Sequence, residues 1–326
     1  MQPKTALPID LISVQNQKGP GPLRSQAPFG ESLAELLLWG EEELADLGGL
    51  EARSSAERLL SEISGLSRTE LYLKNSWCLI PDQIKIFREL IAKRKSRIPV
   101  AYLVGRAYFW EEILKVSPDC LIPRPEAEML IEAFIHRSGI SKDQTFSFLD
   151  LGTGSGAVGI ALLRHFENAK GTFSDISSKA LEVATSNLDR YGIQKGPGPL
   201  RSQAPFEVCR AEVVVSDLFQ VFHGRKWDAI FFNPPYFSNE DWNSVEPEIL
   251  REPVQALDGG QDGLDFYRSM AEEAGDYLNA GGWMILEMGI HQAPKVKDLL
   301  VQNGFKNIFM IEDHAGIERV IMAQHG

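Results

Sequence analysis

Residues 145–167 read TFSFLDLGTGSGAVGIALLRHFE: a strand, a glycine-rich turn and a helix in one uninterrupted run. The stretch 145–152 is apolar and of strand length. It delivers the chain into Asp150, Gly152, Thr153, Gly154, Ser155 and Gly156, with Gly159 just beyond. Glycine accepts left-handed backbone, so this turn can fold tightly and let a ligand approach the main chain. The helix predicted over 156–167 points its free N–H groups back at the turn. Gly154-x-Gly156-x-x-Gly159 has the spacing of a dinucleotide fingerprint, but so does a tight βα turn with no ligand.

Outward from this run the rhythm is strand and helix in alternation. Strands are predicted at 145–152, 171–176, 212–217, 227–233, 282–289, 305–311 and 318–324. Helices fit at 126–137, 156–167, 178–191, 264–279 and 291–303. Such alternation gives an α/β fold: a doubly wound, mostly parallel sheet of seven strands with helices on both faces. Ligands of such sheets bind beyond the carboxyl ends of the strands. After the second strand stands Asp175, a carboxylate able to accept both ribose hydroxyls of a nucleoside, or equally to cap the next helix. The ribose role suits NAD and S-adenosylmethionine alike. After the third strand come Ser216, Asp217 and Leu218, placed to flank an adenine ring.

Towards the amino end the pattern changes. ESLAELLLWGEEELADLGG, SSAERLLSEIS and DQIKIFRELIAKRKSR space apolar residues by three and four, which predicts helices, with Ser54 and Asp82 as N-caps. GRAYFWEEILKVSP then alternates like a hairpin. The expected organisation is a poorly ordered tail over 1–30, a small helical domain over 31–103, a hairpin connector over 104–120 and the α/β domain over 121–326. Residues 17–29, QKGPGPLRSQAPF, recur letter for letter at 194–206. Structural repeats have longer periods and diverge, so both copies read as linker-like inserts.

Composition narrows the partners. Among 326 residues, 33 Lys and Arg face 45 Asp and Glu, a net charge of −12. That balance argues against holding nucleic acid by general phosphate attraction and suits a basic protein or a small ligand. The three cysteines, Cys78, Cys120 and Cys209, form neither a disulfide framework nor a zinc spacing, so no metal is expected. The start does not read as a signal peptide, and no apolar run reaches membrane-spanning length. A cytoplasmic protein without membrane contact is expected.

The chemistry is carried by Phe232-Asn233-Pro234-Pro235-Tyr236 after the fourth strand. Two successive prolines stop a strand abruptly and stiffen the chain. An amide or arylamine nitrogen is a poor nucleophile because its lone pair is delocalised. The Asn233 side-chain oxygen and the Pro234 carbonyl can accept its two N–H bonds, orienting it and favouring positive charge as it reacts. Tyr236 can stack on the flat substrate group. If the donor is a sulfonium methyl, in-line positioning supplies most of the catalysis.

The glycine loop together with Asn-Pro-Pro-Tyr resembles the class I S-adenosylmethionine-dependent methyltransferases that act on nitrogen. LIPRPEAEMLIE (121–132), REPVQALDGGQDGLDFYR (251–268) and EDHAGIERVIMA (312–323) narrow the resemblance to the release-factor glutamine N5-methyltransferases. It covers roughly residues 31–325. It implies a Rossmann-like sheet, S-adenosyl-L-methionine as donor with S-adenosyl-L-homocysteine as product, and methylation of the glutamine in the Gly-Gly-Gln motif of class 1 peptide-chain release factors. It also implies that the 152–156 loop with Asp150, Asp175, Asp217, Leu218 and Asn233 holds the donor, while Asn233 to Tyr236 hold the glutamine. Leu218 stands where some members carry an aromatic. The helical domain is expected to recognise the body of the release factor.

Arg124, Glu126 and Glu128 open a helix beside Pro123 and Pro125; they either cap it, or close over the donor or contact the incoming loop, and Glu252 and Pro253 leave the same choice open. The main rival function is methylation of adenine N6 or another exocyclic amine of nucleic acid, which the acidic charge and the lack of a basic reading domain oppose. A NAD-dependent dehydrogenase leaves Asn233 to Tyr236 unexplained, and a non-catalytic docking module leaves both motifs so.

Overall fold

The computed structural model describes residues 30–196 and 209–325. Expectations for the 1–29 tail, with the first copy of the duplicated segment, and for most of the second copy fall outside those residues. The described chain forms two compact units. One holds the residues up to Gly105 together with Pro247–Arg251. The other holds Arg106–Glu246 and the stretch from Glu252 onward.

The first unit contains α1 (Leu33–Glu43), α2 (Gly49–Ser64), α3 (Arg68–Leu73), α4 (Pro81–Lys95) and α5 (Val100–Val104). Ser32 and Ser67 start α1 and α3 with capping boxes, each serine side chain taking an N–H while a glutamate three residues on reaches back. Ser54 lies inside α2, whose N-cap is Gly48, and Asp82 lies in the first turn of α4 behind Pro81. Both readings took a polar residue near a helix start for the cap itself. Leu36, Leu59, Leu60, Phe87 and Ile91 form the core. Arg94 is buried in the same unit, bonded to Ser55, Glu51 and Glu248 at 2.8–3.1 Å. Arg251 also bonds the Ser96 carbonyl, so the 247–251 segment is pinned to α4 and its end.

The second unit opens with a two-stranded hairpin, β1 (Arg106–Phe109) and β2 (Glu112–Lys115). Then come α6 (Glu128–Arg137), β3 (Ser147–Leu151), α7 (Ala157–His165), β4 (Lys170–Asp175), α8 (Ser178–Arg190), β5 (Ala211–Val215) and β6 (Trp227–Phe232). The unit ends with α9 (Asp265–Glu273), β7 (Leu278–Glu287), α10 (Ala293–Gln302), β8 (Phe305–Glu312) and β9 (Glu318–His325). The seven strands β3–β9 form one sheet in the order β5-β4-β3-β6-β7-β9-β8. Only the pairings of β9 are antiparallel. This is the doubly wound, mostly parallel sheet expected from the alternation.

Its two faces bury alternate residues of the same strands, as a pleated sheet requires. Phe148, Phe231 and Ile285 face α6 and α7, with Phe134 edge-on to Phe231 at 5.1 Å. Leu149, Ile230, Phe232, Met284 and Leu286 face α9 and α10. The helix expected at 264–279 ends early in a 3₁₀ turn, and β7 begins at Leu278, paired with Trp227 across a register shift. Strand order reverses between β3 and β6, both continuing outward from this centre. That reversal opens a crevice at the carboxyl ends of β3 and β6. No helix of the described residues is long and apolar enough to cross a membrane.

Candidate active site

The crevice holds a cavity of about 390 Å³, within the range of small-molecule sites. Its floor is the glycine loop, where Gly152, Gly154 and Gly156 all have positive φ. The conformation has tight consequences at two glycines. A Cβ on Gly152 would lie 2.8 Å from the Phe232 ring, and one on Gly159 only 2.3 Å from the Phe173 ring. Nothing closer than 4.0 Å faces a Cβ built on Gly154, so the loop's inner side is open.

Two carboxylates shape this loop from below. Asp150 is buried at the end of β3 and accepts bonds from the Thr153 hydroxyl and from Gly159 N–H at 3.0 Å. Burial is the largest influence on its carboxyl and pushes it up to about 7. Asp150 therefore builds the cradle. Asp175, at the end of β4, accepts from Gly154 N–H at 2.9 Å and Ser177 N–H at 2.8 Å, and burial raises its pKa. The N-cap of α8 is Ser177, which accepts from Ala180 N–H, so Asp175 is not spent as that cap. It lines the cavity with lone pairs left for hydroxyl donors. Ser155 is fixed through its carbonyl by the fully buried Asn187, which also bonds the main chain of Lys115 in β2.

The third-strand residues Ser216, Asp217 and Leu218 lie past the end of β5 and all line the cavity. Leu218 has φ +44°, and the Ser216 hydroxyl bonds its carbonyl at 2.8 Å. The opposite wall contains Asn233 and Pro235 with Phe232 and Phe266. Asn233 is half-buried, and its side-chain amide makes no hydrogen bond to another described residue. The Pro234 side chain is buried and does not line the cavity.

Tyr236 lies apart from the donor cavity. Gln292 Nε2 bonds its carbonyl at 2.9 Å, and Phe237 exchanges main-chain bonds with Leu257 and Gly259. Gly259 and Gly263 pack so closely that a Cβ on either would lie 2.7 Å or less from the Tyr236 main chain. The corner is therefore braced from behind. Arg124 lines the cavity and pairs with buried Glu252, whose other oxygen accepts from Ile122 N–H at 3.0 Å. Glu126 does not line the cavity; its charge is felt instead by Tyr236 and by the buried carboxyl of Glu287. Gln292 and Phe173 are absent from the sequence-derived site, and the sequence singles out Glu252 without a role. Their partners are distant in the chain, and no local pattern marks them.

The residues present fit a nucleoside donor. An open glycine cradle, a ribose-sized carboxylate at the second strand and an unbonded amide at the fourth strand face one cavity. A cavity of this form at the switch point of a sheet ordered β5-β4-β3-β6-β7-β9-β8 defines a class I S-adenosylmethionine-dependent methyltransferase. A crystallised methyltransferase from Pyrococcus furiosus has the same fold, with a TM-score of 0.50 and 19% identity over 72% of this chain and 99% of that one. Residues 35–105 match the PrmC N-terminal domain family, and residues 127–264 match the methyltransferase small domain family.

The release factor glutamine methyltransferase of Geobacter sulfurreducens is 33% identical over 296 residues, spanning 90% of this chain and 97% of that protein. That of Bacillus cereus is 33% identical over 300 residues, spanning 89% and 98%. The chain belongs to the release factor glutamine methyltransferase family, and its methyl donor is S-adenosylmethionine.

Proposed function

We propose that this enzyme methylates the side-chain amide nitrogen, N5, of the glutamine in the Gly-Gly-Gln motif of class 1 peptide-chain release factors. The observation that carries the reading is Asn233: an unbonded amide at the end of β6, on the cavity wall, followed by two prolines that offer no N–H. Such a corner presents acceptors and few donors, which suits an NH₂ group.

The donor, when bound, supplies an electrophilic methyl on a sulfonium sulfur. Gly152, Thr153, Gly154, Ser155 and Gly156 hold it with main-chain groups, and Asp150 keeps that loop in shape. Asp175 takes the ribose hydroxyls, while Asp217 and Leu218 flank the base. Asn233 Oδ1 and the Pro234 carbonyl accept the glutamine N–H bonds and hold the nitrogen in line. As nitrogen gains positive charge, both acceptors bind it more strongly, which lowers the barrier. The surplus proton leaves after transfer, so no strong base is required. Pro235 and Tyr236 bound the substrate side, and Arg124 and Glu126 stand at the rim towards the incoming motif. We place the reaction in the cytoplasm, which suits three cysteines that form no disulfide among the described residues.

The helical unit is read as the part that recognises the release-factor body. Methyl transfer from labelled donor to a release factor, followed by mass mapping, tests the reading. A single methyl on the Gly-Gly-Gln glutamine is expected. Labelling of duplex DNA in place of the release factor would replace it with the exocyclic-amine reading.

A further inference from the structure

Gln292 stands just before α10, and its main chain serves that helix: its carbonyl accepts from Val296 N–H at 3.0 Å. Its side chain makes no cap bond there. It reaches instead into three loops. Oε1 accepts from Gly289 N–H, after β7, at 2.9 Å. Nε2 donates to the Tyr236 carbonyl, after β6, at 2.9 Å and to the Gly263 carbonyl, before α9, at 3.1 Å. One amide thus spends its acceptor and both its donors on main chain. Only this orientation of the amide works, because a flip would set its oxygen against two carbonyls. The loops leave room for it: a Cβ on Gly263 would lie 2.7 Å from Nε2, and one on Gly289 would lie 2.7 Å from Oε1.

The Asn-Pro-Pro-Tyr corner needs such a tie. Pro234 and Pro235 have no N–H with which to bond a neighbour. The Asn233 amide makes no hydrogen bond to another described residue, so its direction follows from the main chain that carries it. Past the corner, Phe237 donates to the Leu257 carbonyl at 2.8 Å and accepts from Gly259 N–H at 2.9 Å. Gln292 holds Tyr236 itself, and through Gly263 and Gly289 it joins the corner to the loops on either side. We propose that Gln292 is a positioning residue for methyl transfer: its amide fixes the main chain of the corner, and with it the Asn233 and Pro234 oxygens that receive the substrate N–H groups. This rests on the reading of Asn233 and Pro234 given under the proposed function.

A glutamate at this position separates bonding from packing, since it keeps the size of the side chain and an oxygen for Gly289. Ionised, it turns its second oxygen on the Tyr236 and Gly263 carbonyls with no proton between them. Protonated, it regains one donor. A side chain that only filled space would not distinguish the two states.

The test compares Q292M and Q292E with the wild type. It measures kcat on a release factor from pH 5.5 to pH 8.5, donor affinity by calorimetry, and crystal structures of all three proteins. Q292M should lower kcat about tenfold through lost orientation, with donor affinity within about threefold of wild type. Q292E should lose about 100-fold at the alkaline end, and about fivefold or more of that should return, relative to wild type, at the acid end. In both variants residues 233–236 should shift from their wild-type place. Wild-type kcat in Q292M, a donor affinity that falls in step with kcat, a Q292E loss that does not change with pH, or an unmoved corner would overturn the proposal. If Q292M does not fold, Q292E decides: recovery towards acid pH supports the brace, and a flat ratio refutes it. If the wild type leaves the release-factor glutamine unmethylated, the substrate reading fails, and the crystal comparison alone judges Gln292: a displaced corner supports the brace and an unmoved one refutes it.

Discussion

On the proposed reading Asn233 serves the substrate and Asp175 the donor, so their variants should fail in different ways. Asn233→Ala removes one amide acceptor and leaves the glycine cradle intact. Turnover should fall by roughly 100-fold or more, while donor affinity stays within a few fold, by calorimetry against steady-state kinetics. Asp175→Ala should weaken donor binding by about 1–3 kcal/mol. The same change also releases Gly154 N–H, so a loosened loop adds to the loss. Glu287 contributes a pH effect whose sign is fixed by its raised pKa. The folded carboxyl holds its proton up to about 8, while the unfolded one releases it near the ordinary carboxylate value of 4.5. Folding therefore takes up a proton across that window, and the contribution of Glu287 to stability declines as pH rises through it. E287Q lacks this decline, so its Tm relative to wild type should rise from pH 5 to pH 8. A pH-independent difference would show that Glu287 is not held neutral. Asp150 and Asp175 titrate in both proteins and cancel in the comparison.

At the scale of elements, the site is the meeting of a glycine turn after β3, carboxylates at the ends of β3 and β4, and a proline corner after β6. These parts were legible because each is local: glycines at fixed spacing, an acid after a strand, two prolines after an apolar run. Gln292 and Glu287 were not, and nor was the role of Glu252. Glu252 bonds Ile122 across 130 residues and Gln292 bonds Tyr236 across 56, distances at which sequence carries no register. The missed caps have another cause. Ser54 and Asp82 are residues of the right type, but Gly48 and Pro81 set the true helix starts. Asn187 shows how one element supports another. Its amide joins β2 to the Ser155 carbonyl with no exposure. Asn187→Ala leaves buried main-chain groups unpaired and should cost about 1–3 kcal/mol in urea unfolding, with weakened donor binding. A surface-like loss below 0.5 kcal/mol would show that the bridge is dispensable.

Across the whole molecule, the acidic charge of −12 and the two units frame how a substrate protein is met. The seven-stranded, mostly parallel sheet with helices over both faces followed from alternation; the strand order and the antiparallel placing of β9 are known from the structure. The embedding of Pro247–Arg251 in the helical unit did not, because a five-residue segment has no pattern of its own. Arg94 accounts for it: a buried guanidinium needs Glu248 as a counter-charge. Arg94→Ala leaves Glu248 without its buried partner. It should destabilise the helical unit by about 3 kcal/mol, read from denaturant unfolding, with the sheet unit's donor affinity unchanged. The claim on which the account stands is the contact between the proline corner and the substrate amide. A crystal structure with S-adenosylhomocysteine and a Gly-Gly-Gln peptide tests it most directly. The glutamine nitrogen should lie within hydrogen-bond distance of both Asn233 Oδ1 and the Pro234 carbonyl, facing the sulfur. A nitrogen turned from the sulfur, or bound by other groups, would contradict it.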